Sequence, residues 1–243
     1  MNFDAIRIVL VETSHPGNIG GSARAMKTMG ITQLYLVNPK SFPHPAAIEL
    51  SAGADDVLNQ AVVVDSLDEA LRGCQLILGT SARPRGIALS GLTPRECGEH
   101  IAGLPDDTKV ALIFGREYAG LTNEELLKCH YHIHIASNPD YSSLNLSQAV
   151  QILCYEARQA ILNPKAMVTY QEDPLASSEA IHLFYDHLRE VLIDIGFLKL
   201  TSPRRLLERL RRLFNRVKLE EMEVNLLRGI LTQVQKTIKK STV

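Results

Sequence analysis

The first two-thirds of the chain alternates short apolar runs with amphipathic stretches, and few folds accommodate that order. Apolar runs stand at 6–11, 33–37, 61–64, 75–79, 110–114 and 132–136. Helical patterns fall between several of them, at 21–29, 67–72, 123–129 and 146–162. Strand-like runs that alternate with helices predict an α/β fold, with a mostly parallel sheet covered on both faces. Right-handed crossovers are expected between its strands. No internal repeat is present.

At 243 residues the chain suits one large domain, or one domain with a small appendage. Its 45% apolar and 22% charged residues are enough for a real core. The first residues lack the basic stretch and apolar run of a signal peptide. No window of ~18 residues is apolar throughout, so no membrane partner is expected. Cys74, Cys97, Cys129 and Cys154 are widely spaced and form no C-x-x-C, which disfavours both a disulfide scaffold and a thiolate zinc site. A reducing cytoplasm is the simplest location. His130, His132 and His134 alternate along one strand, but no carboxylate or cysteine spacing completes a metal site. They read as structural or surface histidines, and no metal is expected.

The segment 163–178 carries Pro164 and Pro174 without helical periodicity, and reads as a linker between a domain at 1–162 and an extension at 179–243. Ser177 or Ser178 caps a first helix with Ile181, Phe184, Tyr185, Leu188, Val191, Leu192 and Ile195 on one face, stopped by Gly196. Pro203 opens a second helix, and a third carries Val224, Leu227, Leu231, Val234 and Ile238. Residues 199–243 hold 12 Lys/Arg against 4 Asp/Glu, a balance of +8, which leaves −9 for residues 1–198. A basic extension on an acidic body suits a polyanionic partner, or is a solvated face. Within it Arg205, Arg209, Arg212 and Arg216 recur at i, i+4, i+7 and i+11, a stripe suited to phosphate contacts.

Three loops follow strands and concentrate Gly, Asn and Ser. Residues 14–24 read S-H-P-G-N-I-G-G-S-A-R, a turn that leads into a helix with Arg24 in about its first turn. The helix dipole does not favour a cation there, so Arg24 either reaches toward an anion or is an ordinary surface residue. No G-x-x-x-x-G-K-[ST] is present, which disfavours a nucleotide triphosphatase. Residues 114–125 read F-G-R-E-Y-A-G-L-T-N-E-E, with Thr122 and Glu125 spaced as a capping box. Gly115 and Gly120 would let backbone approach a ligand, whereas Arg116 and Glu117 read equally well as a surface pair. Residues 135–145 read I-A-S-N-P-D-Y-S-S-L-N before a long apolar helix. Its backbone amides suit an adenine or ribose, or the loop merely caps the helix.

Taken in order, N-x-x-x-x-x-R, F-G-R-E-x-x-G-L and S-S-L-N-L-S resemble the three signature motifs of the SPOUT superfamily, in its TrmH-like 2′-O-ribose methyltransferase branch. The resemblance covers residues 6–162. The run A-R-A-M-K-T-M-G at 23–30, the helix opening N-L-S-Q-A-V at 145–150 and a helical extension after the catalytic domain resemble the TrmJ subgroup of that branch.

The resemblance implies a trefoil knot in the C-terminal half of the α/β domain, a homodimer, and S-adenosylmethionine as cofactor. Carried over by motif, the cofactor would be held by Thr80, Ser81, Ala82, Gly115, Ile135, Ser142, Ser143 and Leu144. Asn18, Arg24, Glu117, Ser143 and Asn145 would surround the reacting centre, with Arg24 acting across the dimer interface. Neutralising an arginine at pH 7 costs about 8 kcal/mol. A charged Arg24 that holds a phosphate and stabilises a developing alkoxide is cheaper than an Arg24 base. Glu117 would then orient Arg24. The implied substrate is the ribose of a pyrimidine in the tRNA anticodon loop, at position 32. Methylation of another tRNA position or of rRNA is the alternative, and a non-catalytic RNA-binding dimer is a third. The absence of Trp and the 5% aromatic content argue against a stacking platform for single-stranded RNA.

Overall fold

A computed structural model describes residues 1–81, 90–163, 173–198 and 204–241, with backbone alone at 90, 204–205 and 239–241. The chain divides into two compact units, Met1–Tyr170 and Gln171–Val243.

The first unit is built on a seven-stranded sheet. Its strands are β1 (Ile6–Val11), β2 (Gln33–Val37), β3 (Val62–Val64), β4 (Leu76–Thr80), β5 (Ser90–Leu92), β6 (Val110–Phe114) and β7 (Tyr131–Ile133). All pairings are parallel, in the order β3-β2-β1-β6-β4-β7-β5. Every residue of β1 and β6 is buried, which is why these two strands read as continuous apolar runs. The sheet separates two apolar layers. One packs Ile6, Ile8, Leu112 and Phe114 against Ile19, Met26, Val150 and Leu153, and the other packs Val9, Ile77 and Ile113 against Leu71, Leu121 and Leu126. Cys74, Cys97, Cys129 and Cys154 are all buried in these layers.

Helices of this unit are α1 (Pro16–Thr28), α2 (Pro45–Ser51), α3 (Asp55–Asn59), α4 (Leu67–Leu71), α5 (Pro94–Ala102), α6 (Asn123–Leu126) and α7 (Leu146–Leu162). Helix α1 begins five residues earlier than its sequence pattern suggests. His15 caps it by accepting from the Gly17 N–H, and Pro16 supplies the first helical residue. Arg24 therefore lies in the third turn of α1, not the first. Gly20, which looks like part of a turn, is a packing device, since a Cβ there would be driven into the Ala47 carbonyl; one on Gly21 would meet Ser147. The final strand also differs from expectation. It spans Tyr131–Ile133, and residues 134–136 already belong to the loop.

The second unit contains α8 (Ser178–Asp194), α9 (Arg204–Val217) and α10 (Glu221–Ser241). Ser177 caps α8 by accepting from the Ala180 N–H, and Gly196, at φ 73°, stands just beyond its end. Phe184, Leu219 and Val224 form its core with Ala176, against Tyr185, Phe214 and Leu227. The supposed linker 163–178 is not free chain throughout. Ala176 N–H donates to the Leu219 carbonyl, Glu221 N–H donates to the Pro174 carbonyl, and Leu175 and Ala176 are buried. Pro174 lacks a donor but keeps its carbonyl, so it can still take part in that pairing. Among the described residues no helix is long and apolar enough to cross a membrane.

Candidate active site

A cavity of about 190 Å³ opens beyond the C-terminal ends of β4, β6 and β7. Ligands of open parallel sheets bind at that edge, because loops there can vary without disturbing the core. Thr80 and Ser81 enter it from β4, Gly115 from β6, Ile135 from β7, and Ser142, Ser143 and Leu144 from the loop before α7. These are the residues assigned by motif to the cofactor, apart from Ala82, which lies outside the described residues. The lining pairs an apolar wall of Phe114, Ile133, Ile135 and Leu146 with a row of hydroxyls. That lining, apolar on one side and hydroxyl-bearing on the other, fits an adenosine-like group. Gly115 has a further constraint, since a Cβ there would strike the Gly120–Leu121 backbone and prevent the loop from closing on itself.

Beside the cavity, three of the polar positions meet in one hydrogen-bonded relay. Asn145 Nδ2 donates to Asn18 Oδ1 at 2.9 Å, and Asn18 Nδ2 donates to Glu117 Oε1 at 2.9 Å. Glu117 also accepts from the Ser14 N–H, the Ser14 hydroxyl and the His15 N–H. Asn145 caps α7 by accepting from the Ser147 N–H and hydroxyl. The relay thus ties together the loops after β1, β6 and β7. Ser143 lines the cavity and is exposed. Arg24 neither lines the cavity nor touches Glu117. Its guanidinium is exposed and has no partner among the described residues. Within one chain, Glu117 holds the start of α1 rather than orienting Arg24.

Arg116 does not pair with its neighbour Glu117 either. It bridges Glu12 at 2.5 and 3.1 Å and Glu125 at 3.0 and 3.1 Å. Glu12 sits just past β1 with φ 47°, a left-handed conformation uncommon for a side-chain-bearing residue. This network was not visible in the sequence, because Glu12 is 104 residues from Arg116. Of the three strand histidines, His130 is buried and its Nδ1 accepts from the Ile77 N–H. No cluster of three His, Cys, Asp or Glu side chains that could hold a metal occurs among the described residues.

Two carboxyls of the site titrate below their ordinary range. For Glu12 the largest cause is the hydrogen bonding to Arg116, which outweighs burial. For Glu117 burial pushes upward, but the donors from Asn18, Ser14 and His15 together carry the net shift downward. The folded state therefore releases these protons more readily than the unfolded chain. Their contribution to stability is complete above the ordinary carboxylate range and is lost as the pH falls through the depressed folded values. In urea unfolding at pH 7 and pH 4, the wild type should lose more stability on acidification than Glu117→Gln. Equal losses would mean that Glu117 does not carry this linkage.

The loops that meet here belong to a recognisable group of proteins. Residues 5–155 match the model of the SpoU rRNA methylase family. The chain belongs to the SpoU methylase family. Residues 179–243 match a second model, the C-terminal domain of the tRNA methyltransferase TrmJ. The tRNA (cytidine/uridine/adenosine-2′-O-)-methyltransferase TrmJ of Pseudomonas aeruginosa is 52% identical, over 97% of this chain and 96% of its own length. The tRNA (cytidine/uridine-2′-O-)-methyltransferase TrmJ of Yersinia enterocolitica is 53% identical, over 96% of this chain and 93% of its own. The crystal structure of TrmJ from Z. mobilis superposes with a TM-score of 0.83 at 32% identity, covering 94% of this chain and 98% of that one.

In this SpoU-family chain the arginine stripe of α9 is uneven. Arg209 and Arg216 are exposed, whereas Arg212 is partly buried and its Nε lacks a partner among the described residues. The side chain of Arg205 lies outside the described residues. Arg211, between them, lies over the Tyr185 ring at 5.3 Å, and Tyr185 donates to Asn215 at 2.7 Å. Among the described side chains of the stripe, Arg209 and Arg216 are thus the ones presented to solvent.

Proposed function

We propose that this chain is a tRNA 2′-O-ribose methyltransferase that uses S-adenosylmethionine. The observation that carries the reading is the cavity at the sheet's C-terminal edge, lined by the second and third motif loops with Thr80 and Ser81, and tied to the first motif loop by the Glu117–Asn18–Asn145 relay. The family and the full-length tRNA-methylating relatives support the substrate class. A pyrimidine ribose at position 32 of the anticodon loop is the proposed target; the Yersinia relative is a cytidine/uridine enzyme, and the Pseudomonas relative accepts adenosine as well. The cytoplasm, where tRNA is found, is the proposed location. The part of the first unit that contains β4, β6 and β7 is proposed to be knotted. Support comes from family membership and from a strand order that inserts β6 between β1 and β4, and β7 between β4 and β5.

In this reading Thr80, Ser81, Ala82, Gly115, Ile135, Ser142, Ser143 and Leu144 hold the cofactor, which supplies an activated methyl group when bound. The protein's task is then alignment of the ribose oxygen, since correct positioning alone removes several kcal/mol of barrier. Ser143 and Asn145 face the ribose from the α7 loop. The relay keeps Asn145 and the start of α1 in register with the cavity. Arg24, left without a partner among the described residues, is free to hold an RNA phosphate and the developing alkoxide. A homodimer in which Arg24 serves the partner's cavity accounts for its absence from the cavity of its own chain. Arg205, Arg209, Arg212 and Arg216 anchor the tRNA backbone, in an extension joined through the 163–178 segment.

Calorimetric titration with S-adenosylmethionine and its demethylated product should show binding of both. Incubation with unmodified tRNA should then yield a 2′-O-methylated pyrimidine, located by nuclease digestion and mass spectrometry. Absence of binding in every condition, tRNA included, would sink the cofactor assignment. Methylation of rRNA fragments but not tRNA would move the activity to the alternative substrate.

A further inference from the structure

Two exposed aromatic side chains, Tyr118 in the cavity lining and Tyr141 just before the lining residue Ser142, have no packing role in the fold. Tyr118 is 98% exposed and Tyr141 80% exposed, while no other large apolar or aromatic side chain among the described residues exceeds 65%. Neither gains anything from burial, so packing does not account for an aromatic at either position. Both stand on turns with fixed backbones. The turn that carries Tyr118 is closed by the bridge between Arg116 and Gly120, with the Gly120 N–H donating to the Arg116 carbonyl at 2.8 Å. Tyr141 closes its own turn by donating its N–H to the Asn138 carbonyl at 2.9 Å. Tyr118 lines the cavity, and Tyr141 directly precedes Ser142 and Ser143, which also line it.

We propose that Tyr118 and Tyr141 form a two-residue stacking rim for the nucleobases of the RNA substrate: the base of the target nucleotide and that of a neighbour. The inference rests on the ribose-methylating activity proposed above and adds a substrate subsite to it. A ribose hydroxyl in a folded RNA loop reaches a recessed cavity only if its nucleotide leaves the stack, and the freed base then needs a new face. Tyrosine supplies that face without charge and accepts any base. The low aromatic content of the chain excludes a long platform, but a rim of two needs only these residues.

The chain contains no Trp, so its seven tyrosines dominate the near-ultraviolet emission. Titration of the full-length protein with unmodified tRNA should quench part of that emission, and the quench should vanish in a double variant with Tyr118→Phe and Tyr141→Phe. Tyr118→Ala and Tyr141→Ala should each weaken tRNA binding by roughly 5- to 150-fold, the range of one stacked base. Phe at either position should recover most of the loss. The dependence of binding on salt should keep its wild-type slope, because stacking releases no counterions. Affinity for S-adenosylmethionine should not change in Tyr141→Ala, since Tyr141 does not line the cavity. With an abasic target nucleotide, the loss at one of the two tyrosines should disappear.

Ala variants with wild-type tRNA affinity and KM would overturn the proposal. So would a loss that Phe fails to recover, or one that comes with a shallower salt slope. If the wild type methylates no tRNA but its emission is quenched by RNA, the activity reading fails and the rim stands. If tRNA is methylated normally by the Ala variants, the rim alone fails.

Discussion

Replacing Arg24 with alanine should lower turnover on tRNA by about 100- to 1000-fold, the usual cost of removing a group that stabilises developing negative charge. Affinities for tRNA and for the cofactor should stay close to wild type, since an interaction made mainly in the transition state contributes little to ground-state binding. The structural basis is specific. Arg24 is exposed in the third turn of α1, has no partner among the described residues, and lies outside the cavity of its own chain. Mixing the Arg24→Ala chain with one whose cavity is blocked at Gly115 should restore activity in one of the two hybrid sites. An active monomer in light scattering, or a mixture no better than its parents, would place Arg24 at the cavity of its own chain.

Removal of residues 171–243 should leave cofactor binding intact and lower methylation of full-length tRNA on the order of 100-fold at physiological salt, by loss of phosphate anchoring. The first unit holds both apolar layers and the whole cavity, so its core does not depend on the second. Single Arg→Gln changes separate binding from structure. Arg209 and Arg216 face solvent, and each replacement should flatten the salt dependence of tRNA binding, by roughly 0.7–0.9 in slope for every phosphate no longer neutralised. Arg212 is partly buried, so its replacement should also cost folding stability. Truncated protein that methylates tRNA normally across salt concentrations would make the stripe a solvated face only.

The sheet was legible because its central strands are buried on both sides and read as unbroken apolar runs. Strand β5 was not, since its three residues, Ser90–Leu92, include a glycine and show no periodicity. Helix α5 was missed although its signal was present: Thr93, Pro94 and Glu96 form a capping box with proline at the first helical position. The cavity residues came from the family resemblance rather than from periodicity; the loops that carry them follow strands and so arrive at the same edge of the sheet. What joins them did not follow. Glu117 lies 99 residues from Asn18, and Asn18 lies 127 from Asn145, and nothing local in a sequence records such pairings. Gly20 misled for a different reason, as it permits close helix packing rather than a turn.

The four cysteines give the molecule a built-in clock. All lie in the first unit, all are buried, and burial pushes the thiols of Cys129 and Cys154 up to about 12. A maleimide reagent, which needs an exposed thiolate, is thus shut out until the sheet opens. Its rate of incorporation reports how often the methyltransferase unit breathes, and the cysteine-free second unit contributes nothing to the signal. A bound ligand that tightens the cavity should slow that clock, giving a measure of occupancy that requires neither turnover nor a labelled substrate.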